Sequence, residues 1–296
     1  MRADNSADGI WRISNTLGTV IKILSFEHYV YGDDGKNYLC VLRGRQRLLG
    51  EVYVGDRVEF SRSGKTYSID KVLPRKNSLT RPYVANIDKA IIVVAGSPEP
   101  DLCLVDKLIA NCIRCDIEPI ILVNKDDENV TGFYDNIRAD YGCFKVIKAS
   151  ARDGEIGEVI KEIADSTVCL CGQSAVGKTT LINALIGDGE EKTGGLSKIR
   201  RGRNTTRHVE TYRVGGGWVV DTCGFSLLEI EGIKARELAL YYPEFEEGRM
   251  ECKFSTCTHI SEPVCGVKAR VGKSVPEGRY ERYKILYDEL KQKGGF

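Results

Sequence analysis

The run Gly172-Gln173-Ser174-Ala175-Val176-Gly177-Lys178-Thr179 has the spacing G-x-x-x-x-G-K-[ST]. Val168-Cys169-Leu170-Cys171 before it is apolar and β-prone, and Thr180-Leu181-Ile182-Asn183-Ala184-Leu185-Ile186 after it is apolar with a helical rhythm. Strand, glycine loop and helix together predict a phosphate cradle. The glycines let backbone N–H groups curl around phosphate oxygens, and the helix N-terminus adds partial positive charge. Lys178 is placed to reach β- and γ-phosphates, and the Thr179 hydroxyl to ligate Mg²⁺. Gly172 through Thr180 is therefore the candidate nucleotide-binding segment. A second G-K-T, Gly64-Lys65-Thr66, has Glu59 where the first glycine should stand and no apolar helix behind it. It is rejected as a phosphate loop.

The base is read earlier in the chain. The apolar strand Pro119-Ile120-Ile121-Leu122-Val123 runs directly into Asn124-Lys125-Asp126-Asp127, an N-K-x-D. A carboxylate at Asp127 can accept from both N1–H and the 2-amino group of guanine, a pattern adenine does not offer. Losing such a charge-assisted pair costs about 2–5 kcal/mol. Alone this motif is commonplace; beside a phosphate loop it specifies GTP. A further strand, Phe144-Lys145-Val146-Ile147-Lys148-Ala149, leads into Ser150-Ala151, where a backbone N–H can meet the base O6. In most GTPases the phosphate loop comes first. Here it follows the base-reading motif, so the expected sheet is circularly permuted, beginning with the apolar strand Ala90-Ile91-Ile92-Val93-Val94-Ala95 and a helix near 102–115.

The apolar strand Trp218-Val219-Val220-Asp221 ends in an acid and is followed by Thr222-Cys223-Gly224, a D-x-x-G. That places Asp221 near Mg²⁺ and the Gly224 N–H on the γ-phosphate. The Gly-rich, basic stretch 192–208 reads as a loop that orders around γ-phosphate, with Thr206 as the metal-sensing hydroxyl and Thr205 as the alternative. Its cations Lys198, Arg200, Arg201, Arg203 and Arg207 can meet RNA or be simply solvated. Phe225 stands where many GTPases carry a glutamine that positions the attacking water, so slow intrinsic hydrolysis is expected.

At either end lie smaller modules. Short β-prone runs before residue 75, separated by Gly/Asp turns, predict about five strands and an OB-type barrel. Arg43, Arg45 and Arg47 alternate along one strand and share a face, either solvated or turned to phosphate backbone. Residues 74–82 read as a basic linker. Cys252, Cys257, His259 and Cys265 form C-x4-C-x-H-x5-C, a closed tetrahedral set suited to structural Zn²⁺, and His259 is one of only 3 histidines. Cys40, Cys103, Cys112, Cys115, Cys143, Cys169 and Cys171 sit in apolar runs and read as small core residues, including the C-x-x-C at 112–115. Residues 277–293 read as a charged amphipathic helix. No apolar run approaches the roughly 18 residues of a membrane span, the first residues carry no apolar signal region, and a net charge of +1 gives no global pull toward nucleic acid. A cytoplasmic, non-membrane protein is expected.

With these residues in place, the chain resembles the circularly permuted, ribosome-associated GTPases of the RsgA (YjeQ) family. The resemblance implies a multidomain α/β protein: a five-stranded OB-type barrel over 1–75, a linker over 76–83, a circularly permuted P-loop GTPase domain over 84–230, and a mainly helical zinc-binding module over 231–296. It implies GTP hydrolysis stimulated by the small (30S) ribosomal subunit, rRNA contact, GTP and GDP as ligands, a monomer, and a role late in subunit maturation. Carried over by position, Asn124, Lys125 and Asp127 match the guanine motif, Gly172 to Thr180 the phosphate loop, Asp221 and Gly224 the D-T-P-G, and Cys252, Cys257, His259 and Cys265 the zinc ligands. Cys223 departs from the family's proline, Ala175 from a common glycine, and Asn204 from a frequent histidine for which His208 is a possible substitute. The alternative function is an RNA-binding assembly factor that holds GTP with negligible turnover.

Overall fold

Alternating apolar and polar residues make the first of two compact units, Met1–Lys76, a barrel. Strands β1 (Thr16–Leu24), β2 (Glu27–Gly32), β3 (Asn37–Leu42), β4 (Arg57–Ser63) and β5 (Thr66–Val72) close in the order β1-β2-β3-β5-β4. Every pair is antiparallel except β3 with β5. Val20, Val30, Cys40, Val58, Phe60 and Ile69 fill the interior. The rejected Gly64-Lys65 lies in the turn between β4 and β5. The computed structural model describes residues 16–42, 51–80, 83–125, 131–187, 209–222, 230 and 232–294; Arg43, Arg45 and Arg47 lie outside them.

Two parts of the expected linker are something else. Arg75 belongs to the barrel: its guanidinium donates to the buried Asp56 carboxylate at 2.7 and 2.9 Å and stacks 3.7 Å over the Tyr53 ring. Residues beyond it form a hairpin, β6 (Ser78–Thr80) with β7 (Tyr83–Ala85), whose Leu79 and Val84 are buried in the core of the second unit, Asn77–Phe296. Prolines and cations dominate the local composition and hide those two apolar anchors.

The second unit is built on six strands: β8 (Lys89–Val94), β9 (Glu118–Val123), β10 (Lys145–Lys148), β11 (Thr167–Cys171), β12 (Val209–Val214) and β13 (Gly217–Thr222). Their order is β10-β9-β8-β11-β13-β12, parallel throughout except for β12. Helices α1 (Leu102–Arg114), α2 (Phe133–Asp140), α3 (Gly157–Ile163) and α4 (Lys178–Ile186) connect them. Along β8, Ala90, Ile92 and Val94 pack toward one core and Ile91 and Val93 toward the other. Burial on both faces is why the strand is continuously apolar. Because β11 lies between β8 and β13, the strand that feeds the phosphate loop is flanked by earlier and later chain alike.

The C-terminal part of this unit is mainly helical: two 3-10 turns (Ala235–Tyr241, Pro243–Phe245), α5 (Glu246–Met250), α6 (Gly266–Arg270) and α7 (Glu277–Gly294). α7 is charged, as expected, but two of its charges face inward. Arg279 is fully buried; it donates to Asp106 of α1 at 2.7 Å and to Glu244 at 2.6 Å. Arg282 donates to Asp106 at 2.9 Å and to Asp140 at 3.0 Å, and the Tyr141 hydroxyl to Asp106 at 2.7 Å. No described helix is long and apolar enough to cross a membrane.

Candidate functional site

The loop after β11 is shaped by two backbone requirements. Gly172 has φ +126°, and a Cβ there would lie 2.3 Å from the Val93 carbonyl oxygen of β8. Gly177 has φ +93°, and its Cβ would lie 2.4 Å from Asn124 Nδ2. Both positions therefore need glycine. Between them Ala175 is held at φ +66°, in the left-handed region that disfavours L side chains.

Asn124 brings the separated motifs together. Its Nδ2 donates to the Val176 carbonyl at 2.9 Å, and its Oδ1 accepts the Ala151 N–H at 3.4 Å. The end of β9, the phosphate loop and the Ser150-Ala151 turn thus meet on one buried amide. Of the two N–H groups of Ser150-Ala151, the segment read from sequence as meeting the base, that of Ala151 is engaged here by Asn124 and that of Ser150 by the Glu155 carbonyl. Ser150 is buried, with its hydroxyl donating to Asp153 at 2.7 Å. Lys125, at φ +61°, extends past Gly177 and donates to the Ser97 carbonyl at 2.8 Å.

Lys178 opens α4 and folds back over the loop, donating to the Gly172 and Gln173 carbonyls at 2.7 and 2.6 Å. Ser174, Thr179 and Thr180 are exposed. Asp221, near the end of β13, stands in register with Leu170 of β11 and opposite Glu210 of β12. Burial first, then the Glu210 charge, raises its carboxyl above the usual aspartate range; the Lys178 charge opposes this. Asp126, Asp127, Asn204, Thr205, Thr206, His208, Cys223, Gly224 and Phe225 lie outside the described residues. Sequence reasoning did not single out Glu210, whose only signal is its register in a strand with mixed polarity. Nor did it give the Gln173 side chain a partner: its Oε1 accepts the Asp101 N–H at 2.9 Å and its Nε2 donates to the Glu99 carbonyl at 3.2 Å.

A second cluster gathers the four tail ligands. Cys252, Cys257, His259 and Cys265 bring their ligating atoms within 4.8 Å of one another, a set that can hold one metal ion. His259 Nδ1 lies 3.5 Å from Cys252 Sγ and 3.4 Å from Cys265 Sγ, and those two sulfurs are 3.9 Å apart. A tetrahedral Zn²⁺ with Zn–S of about 2.3 Å has sulfur–sulfur edges of about 3.8 Å, so the donors fit. Burial lowers the His259 pKa, favouring the neutral ring a metal ligand needs. Tyr280 and Tyr283 of α7 donate to the His259 and Thr258 carbonyls at 2.8 and 2.7 Å. Among the other cysteines, Cys40, Cys112, Cys169 and Cys171 are buried as expected, Cys103 and Cys115 are half-buried, and Cys143 is exposed. Its apolar neighbours in sequence do not cover it, and its thiol faces Glu244 at 3.5 Å.

Residues 72–231 match the family model described as RsgA GTPase. The chain belongs to the RsgA GTPase family. It is 40% identical over 291 residues to the small ribosomal subunit biogenesis GTPase RsgA of a Geobacillus species, covering 93% of this chain and 98% of that one. The protein of the same name from Thermotoga neapolitana is 38% identical over 273 residues, covering 88% and 92%. The crystal structure of YjeQ from Thermotoga maritima superimposes with TM-score 0.80 at 34% identity, covering 93% of this chain and 98% of that chain. YloQ, a circularly permuted GTPase, gives TM-score 0.80 at 28% identity, covering 97% and 99%. In this chain the phosphate loop, the Asn124 bridge and the four-donor cluster all lie in the second unit.

Proposed function

We propose that this chain is a GTP hydrolase acting late in maturation of the small ribosomal subunit, with turnover stimulated by that subunit and its rRNA. One observation carries the reading: the Asn124 amide joins the base-reading strand end to the phosphate loop, in a chain of the RsgA GTPase family. Asp127 reads guanine, with Lys125, Asp126, Ser150 and Ala151 around the base. Gly172 to Thr180 hold the phosphates. Lys178 exchanges two loop carbonyls for β- and γ-phosphate oxygens and neutralises charge that develops during in-line attack by water. Thr179, Thr206 and Asp221 would hold a divalent cation, and the raised Asp221 carboxyl supports this: burial and the Glu210 charge disfavour its ionised form, and among the described residues Lys178 opposes them. Bound Mg²⁺ would supply charge neutralisation at the phosphates. The Gly224 N–H meets the γ-phosphate.

The Cys/His cluster holds one structural Zn²⁺ in this reading, closed to catalysis because four protein donors complete the tetrahedron. The barrel is taken as 1–75, the GTPase domain as 84–230, entered through the β6–β7 hairpin rather than a free linker over 76–83, and the zinc module as 231–296, in a monomer of the cytoplasm. The test is multiple-turnover phosphate release from GTP, with and without small subunits, beside Lys178→Ala. Slow basal release, strong stimulation and loss in the variant are expected. Binding to subunits with no stimulation would instead favour a factor that only holds GTP, a reading that Phe225 and Asn204 in the sequence support.

A further inference from the structure

One side chain links the phosphate loop to the segment that leads into α1. Gln173 reaches across to the segment that starts the helix, accepting from Asp101 N–H and donating to the Glu99 carbonyl. Asp101 is also the N-cap of α1, its carboxylate accepting from Leu104 N–H at 3.0 Å. Beneath Gln173 the packing is incomplete: a small cavity lies between loop and helix, lined by Val93, Val94, Leu104, Val105 and Val176. Across that gap the two hydrogen bonds of Gln173 are a polar link between the loop and the start of the helix.

We propose that Gln173 is a positioning residue: its side chain, engaged with the backbone of Glu99 and Asp101, anchors the phosphate loop to the start of α1 and so sets nucleotide affinity. This rests on the reading that GTP binds at this loop. The loop geometry is demanding, with three positive-φ residues at 172, 175 and 177. A loop freed from its anchor samples other conformations, and binding then has to order it again. The same ordered loop serves the bound ground state and the transition state, so the loss falls mainly on KM and less on kcat.

The test compares the full chain with Gln173→Ala and Lys178→Ala, using a fluorescent GDP analogue for affinity, GTP turnover, thermal unfolding and amide hydrogen exchange. Two hydrogen bonds of ordinary net strength correspond to roughly 5–150-fold in affinity. In Gln173→Ala the analogue should bind that much more weakly and KM should rise in parallel, with a smaller fall in kcat. The Asp101 amide should exchange faster while the unfolding temperature of the nucleotide-free protein moves by less than about 2 °C. Unchanged affinity, or an unchanged Asp101 amide, would overturn the assignment. So would a large fall in unfolding temperature that accounts for the weaker binding. If the unaltered chain itself fails to bind the analogue, the GTP reading fails instead, and the two failures are distinguishable.

Discussion

Lys178 in the phosphate loop and Arg279 in the seam between α1 and α7 are both cations held by several oxygens, yet the oxygens differ. Lys178 is half-buried and donates to two backbone carbonyls, neutral acceptors that water or phosphate can replace. Arg279 has no exposed surface, lies against Asp106 and Glu244, and faces the rings of Tyr141, Phe144 and Tyr242. A cation that must change partners during a reaction cycle is kept wet and weakly held. One that fixes a helix is desolvated and surrounded by charge that nothing from solvent can substitute. Asp106 is the keystone of that seam because it accepts from both Arg279 and Arg282.

The largest effect should therefore come from Asp106→Ala. It leaves two guanidinium groups buried beside Glu244 and Asp140 without their shared partner, and breaking a buried pair in this way costs about 3–5 kcal/mol. Chemical denaturation should read that loss, with α7 losing amide protection first. Lys178→Ala, the matching edit in the loop, should change stability by less than about 1 kcal/mol while abolishing turnover. Equal losses in the two variants would erase the distinction between the regions.

Much of this was legible in the sequence because the groups concerned are close together in it. The Cys/His cluster falls within one short segment, and the glycine loop declares itself between an apolar strand and a helix. The strands of the parallel sheet are readable because both faces are buried, which forces an unbroken apolar run. Strand β12 was not read: it lies at the sheet edge, antiparallel, and alternates polar with apolar residues. The inward charges of α7 were illegible for a different reason. Arg279 and Asp106 are 173 residues apart, and a surface helix rich in Arg and Glu has the same local pattern. Asp127 as the proposed guanine contact, and Thr206 and Gly224 as proposed switch residues, were legible only as motifs beside apolar strands, and lie outside the described residues.

A smaller effect with a definite sign is expected at Asp221. Its carboxyl titrates above the ordinary aspartate range because burial and the neighbouring Glu210 disfavour the charge. A folded-state pKa raised in an acid means that the folded protein binds the proton more tightly than the unfolded chain. Stability in the absence of nucleotide and metal should then fall as pH rises from the ordinary aspartate range through the higher folded value. Asp221→Asn should remove that slope and gain stability near neutral pH, while losing GTP turnover. Denaturation at several pH values, without nucleotide or Mg²⁺, reads both. A neutral-pH loss of stability would mean that the carboxylate has a cationic partner in solution beyond Lys178.

The smallest effect tests whether the loop is held in the conformation described. Ala175 at φ +66° should be strained by about 1–2 kcal/mol relative to a residue without Cβ. Replacing it with glycine relieves that strain but gives the unfolded chain about 0.5–1 kcal/mol more conformational freedom. The relief outweighs the entropy cost, leaving Ala175→Gly more stable by about 0.5–1 kcal/mol, or about 1–4 °C in unfolding temperature for a unit of this size. Because the Ala175 side chain is exposed, no packing is lost in the exchange. Destabilisation by the same amount would show that residue 175 is not left-handed in the free protein, and that nucleotide has to impose the loop's shape. Stabilisation would place the strain in the resting loop, beside the replaceable contacts of Lys178 and away from the buried seam of Arg279.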